Sequence, residues 1–296
     1  MVLPFDSHNH IHLGPSSPHL SLRPPVDVAE NSLPELCGMA IMSTHTRDFD
    51  TVLKLSKELS CSGIAHPKNS VHVVPCLGVH PWFLHQLSES EWELEGAVPK
   101  WIARMEYMLR SSPQAIVGEI GLDGFHFDPQ TKDLVSPMEK QIVAFQLQLE
   151  LAAKLNRPVS IHAVRCFGPL MEVLSKAKKT NEHSLPPRIY FHAFGGKAGT
   201  IDQLLALCGR ETGRVYFGFA PVINFRSKKT VELVRKVGID HLVLETDHED
   251  AARVLPSISE GVRFLSEALE IDEAVVIERT TLNAYHLYGL DSFHLE

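Results

Sequence analysis

Two histidines near the start of the sequence, His8 and His10, are the first residues whose type and spacing suggest chemistry. They stand two positions apart, and in an extended chain that spacing points both imidazole rings to the same side. Two imidazoles on one side can bind a single metal ion. Taken alone, such a triplet is more often a pair of surface histidines, so residues elsewhere in the chain must decide between the two interpretations.

Four further polar residues lie at the ends of short apolar segments: Glu119, His162, His192 and Asp247. A carboxylate at the end of an apolar strand is costly unless it is paired or binds a cation. Each residue also has a simpler interpretation. Glu119 could form a salt bridge to Arg165, the two histidines could be satisfied core residues, and Asp247 could cap the helix that follows it.

Eight short segments rich in aliphatic and β-branched residues alternate with longer amphipathic segments, and these elements must position the polar residues. The predicted strands are Val2–Phe5, Met39–Ser43, Val71–Leu77, Ala115–Glu119, Val159–His162, Ile189–His192, Val215–Phe219 and His241–Leu244. The predicted helices are Arg47–Leu59, Pro137–Leu155, Arg226–Val237, Ser257–Leu269 and Asp272–Tyr288. This alternation predicts parallel βαβ units in one α/β domain over residues 1–296, a single (β/α)8 TIM barrel. An open, doubly wound sheet is the alternative fold.

The six candidate residues all fall where predicted strands end. In a parallel barrel these ends form the C-terminal face, on which active sites lie. Chance placement would scatter polar groups to both ends of the barrel. We therefore predict two neighbouring divalent cations with a bridging carboxylate at that face. Their ligands would be His8, His10, Glu119, His162, His192 and Asp247.

The composition narrows the class of protein further. No segment approaches the ~20 consecutive apolar residues of a membrane span, and the first histidine motif is complete by His10, which leaves no room for a signal peptide. Five cysteines without a CxxC motif predict reduced thiols in a cytoplasmic or nuclear protein that is not secreted. Because the net charge is −8, any contact with DNA is expected to be local, with bound cations supplying positive charge.

Six short motifs contain the candidate residues and are distributed over nearly the whole chain: Asp6–His10, Gly78–Pro81, Gly118–Asp123, Pro158–Arg165, His192–Gly195 and Glu245–Asp247. Together, and in this order, they resemble the TatD-type metal-dependent deoxyribonucleases. The resemblance implies a TIM barrel of the wider amidohydrolase group. It also implies a divalent-metal hydrolase that cleaves phosphodiester bonds in DNA.

The resemblance also implies a role for each candidate ligand. One metal ion would be bound by His8, His10 and Asp247. The second would be bound by His162 and His192, with Glu119 bridging the two. The two divalent ions are expected to be Mg, Mn or Zn. Asp247 and Glu119 are the predicted catalytic residues, because Asp247 can orient or deprotonate the attacking water while it binds a metal.

Two more residues, His80 and Arg165, are predicted to contact the phosphate of the substrate. The planar guanidinium of an arginine matches phosphate oxygens well. For Arg165 the alternative is a salt bridge to a carboxylate of the site, and His80 could instead pack beside Trp82. The aromatic residues Trp82, Phe83 and Phe125 could stack on a nucleobase.

Two segments depart from the pattern of the family. Asp247 is followed by His248–Asp250, where the family usually has a small residue and a proline, and Ala220-Pro221 stands where Ser-Gly is usual. Both segments border the substrate, so they bear on its identity more than on catalysis. They resemble a eukaryotic TatD-like branch, some members of which are described as interactors of cell-division complexes. This implies a protein partner in cell division.

Two alternatives to a deoxyribonuclease remain. The same site suits a metal-dependent amidohydrolase that acts on a small molecule, since Lewis-acid chemistry serves carbonyl and phosphoryl groups alike. The chain could instead be a non-catalytic interaction module, although its full set of ligands argues against this. We expect a monomer. The Pro- and Ser-rich segment Gly14–Pro34 is predicted to form a loop over the mouth of the barrel.

Overall fold

A curled, parallel sheet of seven strands forms the centre of the molecule. The computed structural model describes residues 2–15, 35–61, 71–180 and 185–290, so most of the predicted loop Gly14–Pro34 lies outside the described residues. The strands are β1 (Phe5–Asn9), β2 (Gly38–Met42), β3 (His72–Leu77), β4 (Ile116–Asp123), β5 (Val159–Val164), β6 (Ile189–Phe191) and β7 (Val215–Phe217). Their spatial order follows their order in the sequence, as successive βα units produce.

Helices connect the strands and cover the outer face of the sheet. They are α1 (Phe49–Cys61), α2 (Lys100–Ser111), α3 (Met138–Lys154), α4 (Phe167–Thr180), α5 (Ala198–Cys208), α6 (Lys229–Val237), α7 (Val254–Leu269) and α8 (Glu273–Tyr288). Shorter helical turns lie at Pro81–Gln86, Glu89–Trp92, Pro221–Asn224, Ile239–His241 and Ala251–Arg253, and a small hairpin pairs Leu94–Glu95 with Val98–Pro99. None of the described helices is both long and apolar enough to cross a membrane.

Three strand boundaries differ from the prediction in a way that changes the site. The first strand is Phe5–Asn9, not Val2–Phe5, the fourth runs to Asp123 instead of ending at Glu119, and the fifth runs to Val164 instead of ending at His162. All residues of the first and fourth strands are buried, including the polar ones, so the apolar run stops well before the strand does. His8 and Glu119 therefore lie inside strands, where the backbone holds them more firmly than a loop would.

The predicted eighth strand, His241–Leu244, is not a regular strand. Leu242 makes only an isolated parallel bridge to Phe217 of β7. We call residues 242–247 the closing segment, because its backbone bonds to both outer strands of the sheet. The N–H of Val243 donates to the carbonyl of Phe217 at 3.1 Å, and the N–H of Ser7 in β1 donates to the carbonyl of Leu244 at 2.8 Å.

The closing segment leaves the extended conformation for an identifiable reason. Asp247 has a left-handed backbone, with φ of 56°. This turn brings the N–H groups of Thr246 and Asp247 onto one acceptor, the carbonyl of His8, at 3.3 and 2.9 Å. The closing segment therefore does not form the regular backbone hydrogen bonds of a strand, but Asp247 is fixed beside His8.

The apolar residues form two clusters, one on each face of the sheet. The larger lies between the sheet and the helices. The smaller fills the inside of the curled sheet and includes Tyr285 and Tyr288 from α8. The ring of Tyr288 stacks on Phe5 at 5.5 Å between centroids, and its hydroxyl donates to the carbonyl of Ser7 at 2.6 Å. Helix α8 thus closes the inner cluster from below and holds β1.

Two buried glutamines of α3 fix the backbone at the ends of two strands. The side chain of Gln148 accepts from the N–H of Val79 at 2.7 Å and donates to its carbonyl at 3.2 Å. Gln141 does the same for Asp123, at 2.7 and 3.0 Å. Because an unpaired buried amide is costly, each glutamine side chain holds in place the backbone group to which it is hydrogen-bonded. Helix α3 therefore positions His80, next to Val79, as well as Asp123.

Candidate metal centre

The carboxylate of Glu119 lies at the centre of a buried ring of histidines. Its Oε2 is 3.1 Å from Nε2 of His10 and 3.4 Å from Nε2 of His8. Its Oε1 is 2.5 Å from Nε2 of His192, 3.0 Å from Nδ1 of His162 and 3.4 Å from Nε2 of His80. The two oxygens therefore face two different groups of histidines. Glu119 is in the middle of β4, so its backbone cannot shift without disturbing the sheet.

Asp247 completes the group on the Oε2 side. Its Oδ1 lies 3.7 Å from Nε2 of both His8 and His10. The side chain of Asp247 is 17% exposed, whereas that of Glu119 is 2% exposed. Asp247 is thus the carboxylate of the cluster that solvent reaches most easily.

The partners of the imidazole rings show which ring nitrogens are free to bind a cation. Nδ1 of His10 lies 3.0 Å from the carbonyl of Met42, which can only accept, so this nitrogen carries the proton. Nδ1 of His8 lies 3.2 Å from the hydroxyl of Ser160, which can accept in the same way. In both rings Nε2 is then left with a lone pair, and it points at Glu119.

On the Oε1 side the partners are carboxylates. Nε2 of His162 is 2.8 Å from Oδ2 of Asp123, so this nitrogen carries the proton and Nδ1 faces the centre with its lone pair. Nδ1 of His192 is 3.7 Å from Oε2 of Glu245, too far for a hydrogen bond, and has no other partner among the described residues. Nε2 of His192 lies 2.5 Å from Oε1 of Glu119, the distance of a charge-assisted hydrogen bond, so this ring carries a proton that a bound cation would displace.

His80 differs from the other four histidines. Its Nδ1 accepts a hydrogen bond from the N–H of Trp82 at 3.2 Å, so its proton is on Nε2, the nitrogen that faces Glu119. Burial also lowers the pKa of His80 to about 4, so the ring is neutral. Although His80, Glu119 and His162 are close enough to hold an ion, His80 offers a proton and no lone pair. It therefore acts as a donor at the edge of the site.

The remaining residues fit a divalent cation well. Two groups that include Glu119 or Asp247 have all their ligand atoms within 4.8 Å of one another: His8, Glu119 and His192, and His8, His10 and Asp247. Ring nitrogens also face each other closely, at 3.3 Å between His8 and His10 and at 3.2 Å between His162 and His192. Ring nitrogens that converge in this way favour a shared cation, and imidazole with carboxylate is a common donor set for Zn and Mn.

The electrostatics show that the cluster attracts positive charge, because its carboxylates raise the pKa of His10, His162 and His192 against the effect of burial. Burial alone raises the pKa of Glu119, but the surrounding imidazoles, first of all His192 and His80, bring that pKa well below its usual value. Burial lowers the pKa of His8 well below its usual value. For His192 burial also acts downward, but Glu119 outweighs it and raises the pKa well above normal. Because a metal needs deprotonated imidazoles, binding would displace the proton of His192.

Two carboxylates that the sequence did not single out support the cluster. Asp123 accepts hydrogen bonds from Nε1 of Trp82 at 2.7 Å and from the N–H of Phe125 at 2.6 Å, besides His162. Burial opposes its ionisation, but these donors, His162 first, lower its pKa to about 2. Glu245 accepts from the hydroxyl of Tyr190 at 2.5 Å. Each belongs to a quoted motif, and the only sequence signal was its place beside a candidate ligand.

One glycine is required for this geometry. Gly121 follows Glu119 by two residues in β4 and has φ of 147°. A Cβ atom there would lie 2.0 Å from the carbonyl oxygen of His162 in β5. The two strands can therefore approach closely only with glycine at this position, and this approach places Glu119 and His162 side by side.

Arg165 lies outside the cluster. Its side chain is exposed and its guanidinium lies over the ring of Phe125, 3.9 Å from the centroid. The expected alternative, a salt bridge from Arg165 to Glu119, is not present. Trp82 is 38% exposed and stacks on His126 at 4.4 Å. Arg165, Phe125 and Trp82 form one side of the rim above the cluster.

An open cavity of about 610 Å³ leads from solvent to the cluster. Its floor is formed by the histidines and carboxylates described above. Its walls are mostly apolar and include Leu13, Phe83, Phe125, Phe127 and Ile223. None of its described lining residues is a lysine or an arginine. A ligand in this cavity would therefore meet positive charge mainly at a bound metal.

The chain is similar in sequence to several known proteins. It is 26% identical to the Cut9-interacting protein scn1 of Schizosaccharomyces pombe, over 89% of this chain and 92% of that protein. It is 26% identical to deoxyribonuclease TATDN3 of Homo sapiens, over 85% and 83%. It is 28% identical to the 3'-5' ssDNA/RNA exonuclease TatD of Erwinia amylovora, over 86% and 98%.

Its fold is similar to that of a solved structure, YjjV, a TatD homologue from Escherichia coli K12. The TM-score is 0.71 at 22% sequence identity, covering 97% of this chain and 98% of that one. A family model described as TatD related DNase matches residues 5–289, a range that contains every candidate ligand from His8 to Asp247. As the resemblance predicted, the chain belongs to the TatD related DNase family.

Proposed function

We propose that this protein is a divalent-metal-dependent phosphodiesterase that hydrolyses nucleic acid strands. The observation that supports this most is the convergence of five histidine rings on the two oxygens of one buried carboxylate, that of Glu119. The outer nitrogens of His8, His10 and His162 face acceptors, whereas that of His80 faces a donor. A pair of cations bridged by a carboxylate and a donor for a phosphate oxygen would use this arrangement.

We propose two metal ions, with Glu119 between them. The first would be held by His8, His10 and Asp247, and the second by His162 and His192. Mg, Mn or Zn would suit these donors. When bound, such ions polarise a phosphoryl oxygen and lower the pKa of water. We also propose that the closing segment completes an eight-unit barrel, with the metal centre at the C-terminal ends of its strands.

The residues of the chain would divide the remaining tasks. Asp247 is the most exposed carboxylate of the cluster, so we assign it to accept the proton of the attacking water. The Nε2–H group of His80 would donate a hydrogen bond to a phosphate oxygen of the bound substrate. Arg165, held over Phe125, would contact the phosphate of a neighbouring nucleotide.

The first test is cleavage of a single-stranded DNA oligonucleotide labelled at its 3' or its 5' end. The protein is stripped with EDTA and then supplied with Mg, Mn or Zn. We expect metal-dependent shortening that is lost in Asp247→Ala. The matched control is Asp202→Ala, which removes an exposed carboxylate paired with Lys236 on the outer helices and should keep full activity.

Equal cleavage by the wild type and Asp247→Ala would refute the proposed role of Asp247. No cleavage with any metal, by a protein that binds metal, would refute the nucleic acid substrate. The label that is released first also gives the direction of attack.

A second candidate function is hydrolysis of a small molecule by the same centre. It is favoured by the apolar walls of the cavity and by the absence of lysine and arginine from its described lining. A panel of DNA, a bis-aryl phosphodiester and amide or lactone substrates would separate the two. Turnover of an amide with no turnover of either phosphodiester would favour this second function.

We further propose a protein partner, because a relative that this chain matches over 89% of its length is named as Cut9-interacting. A pull-down with wild type and Glu119→Gln would show whether such binding needs the centre. We also propose a monomer in the cytoplasm or nucleus. The four described cysteines are free, which suits a reducing compartment.

A further inference from the structure

The rim of the cavity carries opposite charges on opposite sides. One side follows β4 and β5 and carries Phe125 with the guanidinium of Arg165 stacked on it. The other follows the closing segment and carries Glu249. In the order of the strands, the closing segment lies between β7 and β1, so β4 is the strand farthest from it in either direction. A ligand that crosses the mouth therefore passes from a cation to an anion.

Glu249 differs from the other carboxylates of the cavity. Glu119, Asp123 and Asp247 are held by the histidines. Glu249 is exposed, and no ion pair or hydrogen bond of its carboxylate is found among the described residues. Its position is nevertheless fixed by its backbone, since His10 N–H donates to the carbonyl of His248 at 2.8 Å. Its charge is therefore not paired with a cation of the described residues, and its backbone is held at the mouth.

The opposite charges on the two sides of the mouth favour one orientation of a bound nucleic acid strand. Each internucleotide phosphate carries one negative charge, and a terminal phosphate carries close to two. A continuing strand would be favoured over Arg165 and repelled beside Glu249. An end that carries only a hydroxyl brings no charge and can donate a hydrogen bond to the carboxylate.

We infer that Glu249 is a specificity-determining residue that selects a strand end bearing a free hydroxyl over one bearing a phosphate, while the rest of the strand leaves over Phe125 and Arg165. The inference rests on the proposed function, because it assumes that a nucleic acid occupies the cavity. It narrows the substrate to the unphosphorylated end of a strand.

The test measures binding and cleavage separately. Trinucleotides with phosphorothioate linkages, which resist hydrolysis, are made with a hydroxyl or a phosphate at the 3' end and, in a second pair, at the 5' end. Their dissociation constants are measured with the metal-loaded protein. Unmodified oligonucleotides with the same ends are then used for cleavage rates.

For the end that enters the cavity, we expect the terminal phosphate to weaken binding about tenfold in the wild type, which corresponds to a repulsion of about 1.4 kcal/mol between close like charges. In Glu249→Gln the two ligands should bind within about twofold of each other. Glu267→Gln, an exposed glutamate of α7 outside the cavity, is the matched control and should keep the full preference. Arg165→Ala should weaken both ligands of a pair alike.

Equal binding of hydroxyl and phosphate ends by the wild type, for both pairs, would overturn the inference, and so would an unchanged preference in Glu249→Gln. Failure to bind any trinucleotide would overturn it as well. A preference that depends on Glu249 without cleavage of any unmodified strand would leave the inference standing and refute the nuclease activity instead.

Discussion

The two sides of Glu119 hold their histidines in different ways. On the Oε2 side, His8 and His10 are oriented by neutral acceptors, the hydroxyl of Ser160 and the carbonyl of Met42. On the Oε1 side, His162 donates to the carboxylate of Asp123, and the carboxylate of Glu245 lies 3.7 Å from Nδ1 of His192. A carboxylate behind a ring raises the basicity of the nitrogen that faces the metal.

This difference predicts unequal metal sites. The Oε1 side should bind its ion more tightly, because its imidazoles are better donors and lie in a more negative field. The Oε2 side contains Asp247, the more exposed carboxylate, and should exchange its ion and its water more readily. One side would then serve mainly to hold the phosphate and the other to activate the nucleophile.

The largest effect should come from removing the metal. Dialysis against EDTA is expected to abolish hydrolysis and to lower the melting temperature, because an ion present at about 100 times its dissociation constant contributes roughly 2.7 kcal/mol to stability. Differential scanning calorimetry during stepwise chelation would show two stages if the sides differ. A single stage, with both ions lost together, would contradict unequal sites.

The next largest effect is expected for Glu119→Gln, which keeps the shape of the side chain but removes the charge shared by both sides. We expect activity to fall by at least about 10²-fold, since even residues behind the ligands of a metal account for 10- to 100-fold. Metal content per chain, measured by mass spectrometry, should fall at both sites. Full metal content in a folded variant would mean that Glu119 does not bridge.

A smaller effect is expected for Asp123→Asn. The amide can still contact Trp82, but it no longer supports His162 with a negative charge. Metal affinity on the Oε1 side should weaken roughly 10- to 100-fold. Titration with Zn, followed by calorimetry, would show the tighter of the two sites weakened. Weakening of the looser site alone would reverse the assignment of the two sides.

The smallest effect is expected for Ser160→Ala, the matching change on the Oε2 side. It removes a neutral acceptor from Nδ1 of His8, so metal affinity should change by less than about tenfold. The unpaired ring nitrogen should cost about 1–3 kcal/mol of stability, measured by urea unfolding. A loss of affinity as large as that of Asp123→Asn would remove the distinction between the two sides.

The sequence pointed to the cluster, because its six candidate ligands lie in or directly after segments that a parallel sheet brings together. It could not show the protonation state of each ring, which depends on contacts such as that of His162 with Asp123, 39 residues away. It predicted that His80 contacts phosphate and is not a metal ligand, but it could not give the structural basis for that distinction. That distinction depends on one backbone N–H, that of Trp82, in the turn that follows.

The prediction of the strand boundaries was wrong for a related reason. Alternation of apolar and polar residues marks a strand only where one face of the strand is buried and the other is exposed. In β1 every residue is buried and Asp6, His8 and Asn9 are polar, so the pattern stops at Phe5. The prediction of an eighth strand was wrong for a different reason: the left-handed turn at Asp247 directs the backbone hydrogen bonds of the closing segment to His8.

The bond from the hydroxyl of Tyr288 to the carbonyl of Ser7 joins residues 281 positions apart in the sequence. Strand β1, which carries His8, therefore gains its support from α8 only after almost the whole chain is available. During synthesis, ribosome-bound chains that have not yet released α8 hold β1 without the ring of Tyr288 stacked on Phe5. A chain that lacks α8 would therefore hold His8 on a strand without this support.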